Sequence, residues 1–172
     1  AWKVAREFSA PDEANQSYST PVVTNFEGEE TLVVVGADHV TAHSAVDGKE
    51  LWRYETEFVP HNIHKTYNTF ASSSAFIDAE RIYVNWSSST NIQALALDHS
   101  GKLVWHNDHV ADYIHEHGTG ISPVVEDGIM IVRSEFDWQR DGKVYTEDPA
   151  QQKWKACIVG LDAKDGKVAT DG

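Results

Sequence analysis

Short apolar runs bounded by turn residues dominate the chain, and helical periodicity is nearly absent. The clearest runs are TLVVVG (31–36), RIYVNW (81–86) and IMIVRS (129–134), which are rich in β-branched residues. Runs of this length and composition predict β-strands. A turn precedes each run, and EDG at 126–128 is the clearest hairpin signal among these turns. Only the segment 106–118 leaves a helical turn open as an alternative.

The same succession of four segments occurs three times along the chain. The first segment reads STPVV, SSSAF or ISPVV, and the second is one of the three runs above. The third segment reads HVTAHSA, IQALALD or ACIVGLD, and the fourth reads KELWRYE, KLVWHND or KVAT. Each repeat therefore predicts four short antiparallel strands joined by tight turns.

The spacing of the repeats indicates the architecture. Trp2, Trp52 and Trp105 lie about 50 residues apart, and a four-stranded antiparallel unit of this length is typical of a β-propeller blade. We predict an all-β fold in which the single segment 1–172 contains about three four-stranded blades. The predicted blades cover roughly 17–56, 70–108 and 119–172, and residues 1–8 are predicted to form the outer strand of a preceding blade.

A short signature closes each repeat and suggests how neighbouring blades are held together. In the segment from Ala42 to Trp52, a small residue, a turn and a Trp follow one another at fixed spacing. The small residue allows a close approach, Gly48 allows a positive φ in the turn, and Ser44 can accept N–H bonds from it. Trp52 supplies a large apolar face and one N–H donor. We predict that this signature locks adjacent blades through Ala42, Gly48, Trp52, Ala96, Asp98, Gly101, Trp105, Asp162 and Gly166.

The signature resembles the repeat of the PQQ-like, quinoprotein-type β-propeller family, which reads roughly A-x-D-x-x-T-G-K-x-x-W. The segment 42–52 has the length of this repeat, with Ser44 in place of Asp, and the signature ending at Trp105 is one residue shorter. Thr170 stands where the third Trp is expected, so we expect the third lock to be weak or its fourth strand to be replaced. The resemblance implies a seven- or eight-bladed propeller, of which this chain would supply about three blades.

The family that the chain resembles contains enzymes and non-catalytic proteins. Its quinone-dependent dehydrogenases hold PQQ, Ca²⁺ and an Asp base, and the alcohol dehydrogenases cover PQQ with a disulfide between adjacent Cys residues. The chain has one cysteine, Cys157, and cannot form that disulfide. We therefore expect a non-catalytic binding or scaffold module without a cofactor, and a fragment of a PQQ-dependent dehydrogenase is the alternative. The likeness to exported bacterial members implies a periplasmic or otherwise exported location.

The composition narrows the range of partners. The 27 acidic and 14 basic side chains give a formal net charge of -13, which repels nucleic acid. No apolar run approaches the roughly 20 residues that a membrane-spanning helix needs. The expected partner is a protein or a small ligand on a propeller face. Three blades alone would also leave end faces and strand edges uncovered, so we expect self-association or further blades to close the ring.

Histidines and two long connections are the remaining candidates for chemistry. His115 and His117 project to the same side if their segment is extended, and could share a metal ion in a metal-dependent enzyme. The alternative is an ordinary polar loop. The loop 58–74 is either a recognition surface or a linker. The insertion 136–156 is either a partner surface or packs on its own blade, and we expect an extended hairpin there with 141–142 near its tip.

Overall fold

Thirteen β-strands and no helix are found in the part of the chain that the computed structural model describes. That part comprises residues 1–5, 18–56, 72–87, 91–113, 119–135, 139–140, 143–144 and 156–169. All strand pairings within it are antiparallel. It contains no helical segment of the length and hydropathy that crossing a bilayer requires.

The first sheet contains four strands in sequence order. They are β1 (Val22–Phe26), β2 (Glu29–Val35), β3 (His39–Ser44) and β4 (Glu50–Glu55). The β1–β2 hairpin turns at Glu27 and Gly28, whose φ angles of 52° and 88° are both positive. Two consecutive residues of positive φ form the tight turn whose twist matches antiparallel strands, so the local sequence fixes this hairpin.

The second sheet repeats the first. Its strands are β5 (Phe76–Ile77), β6 (Arg81–Ser87), β7 (Asn91–Asp98) and β8 (Leu103–Asp112), again in sequence order. Strand β8 runs on to residue 112, so the helical turn that the sequence left open is wrong for residues 106–112.

The third sheet has three strands, β9 (Val124–Glu126), β10 (Ile129–Glu135) and β13 (Ala156–Asp162), in the order β13-β10-β9. Of the fourth strand expected at KVAT, the described residues, which end at 169, show a single bridge between Leu161 and Val168. Between β10 and β13, strands β11 (Gln139–Arg140) and β12 (Lys143–Val144) pair with each other. These two strands flank positions 141–142, the predicted tip, and the rest of the predicted extended hairpin lies outside the described residues.

The core consists of two apolar clusters, one on each side of the second sheet. Strand β6 shows the reason, because its side chains point alternately to opposite faces. Ile82 and Val84 join the cluster shared with the first sheet, whereas Tyr83 joins the cluster shared with the third. The three sheets therefore pack face to face in sequence order, and the middle sheet is covered on both faces.

Candidate functional site

The recurring signature forms the turn between the third and fourth strands of each repeat. Gly48, Gly101 and Gly166 occupy the same place in their turns, with φ angles of 76°, 82° and 73°. Each donates its N–H to the carbonyl of the first polar residue of its signature, over 2.8 to 3.0 Å. A residue with a Cβ rarely adopts these φ values, so the backbone conformation accounts for the recurrence of glycine.

The polar residue at the start of each turn holds the loop closed. Asp98 accepts N–H bonds from Ser100 and Lys102, at 2.9 and 3.0 Å, and the Ser100 hydroxyl at 2.6 Å. Burial raises the pKa of Asp98, but these donors outweigh it and hold the pKa below its ordinary value. In the other two turns Asp162 accepts the N–H of Lys164, and the hydroxyl of Ser44 takes the corresponding role.

The tryptophan of each signature reaches the turn of the next sheet. Trp52 donates its indole N–H to the carbonyl of His99 over 3.0 Å, and Trp105 donates to the carbonyl of Ala163 over 2.9 Å. Trp2 makes the equivalent bond to Ala45 over 3.0 Å. All three acceptors lie at the same position of the signature, immediately after its first polar residue. An indole and a backbone carbonyl thus connect each sheet to its successor.

The glycine of each turn lies directly under the indole. A Cβ added to Gly101 would meet the ring of Trp52 at 2.5 Å, and one on Gly166 would meet Trp105 at 2.4 Å. A Cβ on Gly48 would likewise come within 2.4 Å of Trp2. These separations are too short for non-bonded carbon atoms, so no larger residue fits while the ring keeps its place.

The small residue of the signature faces the tryptophan of its own sheet. Ala42 is the cross-strand partner of Trp52, and Ala96 is the cross-strand partner of Trp105. Both alanines are fully buried. The signature therefore brings together Ala and Trp within a sheet, and Trp and Gly between sheets.

The third signature receives an indole, although its own tryptophan is replaced. Trp105 packs on Gly166, so the third signature joins the contact between the second and third sheets through its glycine. Thr170 itself lies outside the described residues. The expectation that the replacement of Trp by Thr weakens the third lock therefore stays a prediction.

A second set of contacts connects the first strands of the repeats. The N–H of Thr20 donates to the hydroxyl of Ser74 over 2.8 Å, and the N–H of Ser74 donates to the hydroxyl of Ser122 over 2.9 Å. Each of the three residues lies two positions before the first residue of its strand, β1, β5 or β9. The recurrence of a hydroxyl there has a structural explanation that sequence reasoning did not find.

The contact between the second and third sheets carries additional polar bonds. Arg81 donates to the carbonyls of Ala163 and Lys164, so the Ala163 oxygen accepts from both Arg81 and Trp105. The amide of Asn107 donates to the Gly166 carbonyl over 2.8 Å. Arg81 lies outside the recurring signature, so only the structure identifies its guanidinium as part of this contact.

The predicted histidine site cannot be placed. His115 and His117 lie outside the described residues, as do most of the loop 58–74 and of the insertion 136–156. Of the nearby histidines, His106 bonds to Gln93 at 3.2 Å and His109 pairs with Asp112 at 3.2 Å, and both are exposed. Within the described ranges, no three His, Cys, Asp or Glu side chains converge in a way that could hold a metal ion.

Protein-family models and curated proteins supply the first two comparisons with known proteins. The chain matches, over residues 1–170, a family model described as outer membrane protein assembly factor BamB. No curated protein matches it in sequence.

Solved structures supply the third comparison. Quinohemoprotein alcohol dehydrogenase ADHIIG from Pseudomonas putida HK5 is similar with a TM-score of 0.61 and 20% identity, over 90% of this chain and 20% of that one. The quinohemoprotein alcohol dehydrogenase from Comamonas testosteroni has a TM-score of 0.60 and 19% sequence identity, over 89% of this chain and 20% of that one. BamB from Moraxella catarrhalis has a TM-score of 0.51 and 16% sequence identity, over 99% of this chain and 38% of that one.

These likenesses concern the fold, because every identity lies far below the level at which function is shared. Together with the three antiparallel sheets, they confirm the predicted β-propeller fragment of PQQ-like type. The chain spans a fifth of the length of each dehydrogenase and 38% of the length of BamB.

Proposed function

The chain belongs to the PQQ-like β-propeller family whose model is described as outer membrane protein assembly factor BamB, and from this membership we propose that it is a non-catalytic binding and scaffold module of an exported bacterial protein. The observation that carries the proposal is the match itself, which extends over residues 1–170. A fold shared with enzymes does not by itself imply catalysis, so the residues must be considered individually.

The contacts of the recurring residues support a scaffold role. Trp52 and Trp105 are engaged with the turns of the following sheets, and Gly101 and Gly166 lie beneath them. We propose that these pairs dock one blade on the next, with blades at roughly 17–56, 70–108 and 119–172. The most conspicuous pattern in the sequence then serves packing, and binding is left to the loops and grooves of the propeller faces.

The partner that we propose is a protein. The net charge of -13 favours a partner with a basic surface and disfavours nucleic acid. The proposed location is the periplasm or another exported compartment. We further propose that more blades, or further copies of the chain, complete the ring.

The proposal is tested by native isolation of the full-length protein from its own host after mild crosslinking. The expected result is enrichment of identified proteins of the outer-membrane assembly machinery over a tagged, unrelated exported protein. The proposal is wrong if none of these proteins is enriched, and oxidation of a substrate by the purified protein would also contradict it. Fractionation of the same cells tests the location independently.

A dehydrogenase fragment is the second candidate, favoured by the higher TM-scores of the two quinohemoprotein enzymes. Ca²⁺ takes six to eight oxygen ligands, and the described residues bring together no three acidic or histidine side chains that would fit it. Titration of PQQ and Ca²⁺ into the purified protein distinguishes the candidates. A saturable absorbance change with dye reduction supports the enzyme, whereas an unchanged spectrum supports the scaffold.

A further inference from the structure

The gap between the first and second sheets differs from the gap between the second and third sheets at one end. At this end the hairpin formed by the first two strands of each repeat makes its turn. Between the first and second sheets, this space is filled by two stacked rings. Phe26, at the end of β1, lies parallel to the imidazole of His99, with centroids 5.4 Å apart and planes inclined by 6°. His99 belongs to the signature turn that also accepts the indole N–H of Trp52.

Among the described residues, neither ring has a counterpart between the second and third sheets. The β5–β6 hairpin already closes where the N–H of Asp78 bonds to the carbonyl of Arg81, whereas the β1–β2 hairpin continues outward to Phe26. Ala163 occupies the position of His99, as its acceptance of the next indole N–H shows. A shorter hairpin and a smaller side chain leave a groove of about 350 Å³.

The walls of this groove combine apolar and charged groups. Tyr83, Val125 and Ala163 supply apolar surface, and Arg81 lines the groove while donating to two carbonyls. Asp78, Glu80, Asp162 and Lys164 also line it, and Oδ1 of Asp78 and Oδ1 of Asp162 accept backbone N–H groups of the chain. The volume lies in the range of sites that accept small organic groups.

We propose that this groove binds a tryptophan or tyrosine side chain of a partner polypeptide. The stacked rings at the equivalent position show that the space between two blades accommodates planar groups. The guanidinium of Arg81 attracts the negative face of an aromatic ring. The carboxylate of Glu80 can accept the N–H or O–H at the edge of the ring, whereas the Asp78 carboxylate already accepts the backbone N–H groups of Glu80 and Arg81. The inference rests on the proposed scaffold function, for which it names a docking site and the side chain that docks.

The experiment measures binding of N-acetyl-L-tryptophanamide to the full-length protein by chemical-shift perturbation. N-acetyl-L-leucinamide serves as the apolar control, and N-acetyl-L-argininamide tests a planar cation instead. We expect the tryptophan derivative to bind most tightly and to shift the resonances of Val125, Gly128 and Lys164. Tighter binding of either control would overturn the proposal.

The matched variants are Ala163→His and Ala163→Ser. Histidine introduces the ring that the first gap already contains at His99, so the groove is refilled and affinity should fall at least about tenfold, which corresponds to about 1.4 kcal/mol. Serine keeps the groove open and should leave affinity unchanged. If the histidine variant fails to fold, Arg81→Gln keeps N–H donors but removes the cation, and affinity should fall about threefold. Unchanged affinity in a folded Ala163→His variant, or in Arg81→Gln where the histidine variant does not fold, contradicts the proposal.

Native isolation with the Ala163→His variant separates this inference from the proposed function. We expect the yield of the assembly proteins captured by the unmodified protein to fall, while the serine variant retains them. Full retention by a folded histidine variant would refute the groove as the docking site and leave the scaffold function standing. A failure of the unmodified protein to capture any such protein would instead refute the scaffold function.

Discussion

The indole of Trp105 lies on Gly166 of the following sheet, so close that a Cβ at this glycine would meet the ring at 2.4 Å. The same relationship joins the preceding pair of sheets, and there the ring of Trp52 lies on Gly101. In both cases the indole N–H also bonds to a carbonyl of the same turn. Each tryptophan therefore contributes apolar area and one directional bond to an inter-sheet contact.

Replacing Gly101 by alanine tests the steric part of this contact. Gly101 and Gly28 both have positive φ, but only Gly101 has a ring within reach of an added Cβ. We expect Gly28→Ala to cost about 1–2 kcal/mol of unfolding free energy from backbone strain alone. Gly101→Ala should cost at least about 2 kcal/mol more, because the ring of Trp52 must move. Urea denaturation measures both, and equal costs would contradict the contact.

Replacing Trp105 separates its apolar contribution from its hydrogen bond. Trp105 is only 8% exposed, so Trp105→Ala should lower the unfolding free energy by about 3–5 kcal/mol. Trp105→Phe keeps a ring but loses the N–H donor, and should cost about 1–2 kcal/mol. Trp2 makes the same kind of bond but is 44% exposed, so Trp2→Ala is the matched control with a smaller expected effect. Equal losses for the two alanine variants would show that burial of the indole is unimportant.

Removing Arg81 tests the added polar bonds between the second and third sheets. Hydrogen bonds from charged donors contribute about 1.5–3 kcal/mol, and Arg81→Met keeps the apolar stem while removing both bonds to the turn. We expect faster amide hydrogen exchange in β13 and unchanged exchange in β2. Uniform acceleration across all three sheets would indicate global destabilisation instead of a local inter-sheet role.

The ionisation of Tyr83 should make the fold sensitive to alkaline pH. Burial, followed by the negative charge of Asp78, raises the pKa of Tyr83 to about 12 from its ordinary 10.0. The unfolded chain therefore loses this proton near pH 10 while the folded chain retains it, so stability is complete below pH 10 and falls as the pH rises to about 12. The difference of two units corresponds to about 2–3 kcal/mol.

The phenylalanine variant isolates this effect from the other groups that titrate at high pH. The unfolding free energy of the unmodified protein should decline relative to Tyr83→Phe between pH 9 and about pH 12. A constant difference across this range would show that the folded environment does not suppress ionisation of the phenol.

Local patterns in the sequence were sufficient to predict the repeat and most of its strands and hairpins, although the strand expected at KVAT is represented by one bridge in the described residues. The alternation of β6, the glycine turns at Gly48 and Gly101, and the recurrence of Trp52 and Trp105 are properties of neighbouring residues, and each follows from backbone sterics or the period of a strand. The all-β propeller fragment follows from them. The bounds of the blades and the locking role assigned to the signature remain predictions.

Contacts across sheets depended on the tertiary structure. The pairing of each tryptophan with the next glycine, the convergence of Arg81 and Trp105 on one carbonyl, and the ring pair of Phe26 and His99 all join residues far apart in the chain. A difference of a few residues in hairpin length, together with Ala163 in place of His99, opens the groove. The sequence by itself determined the strands and turns within each sheet, because strand and turn formation depend on neighbouring residues. The tertiary structure alone decided which side chains and grooves lie between the sheets, because packing depends on residues that folding brings together.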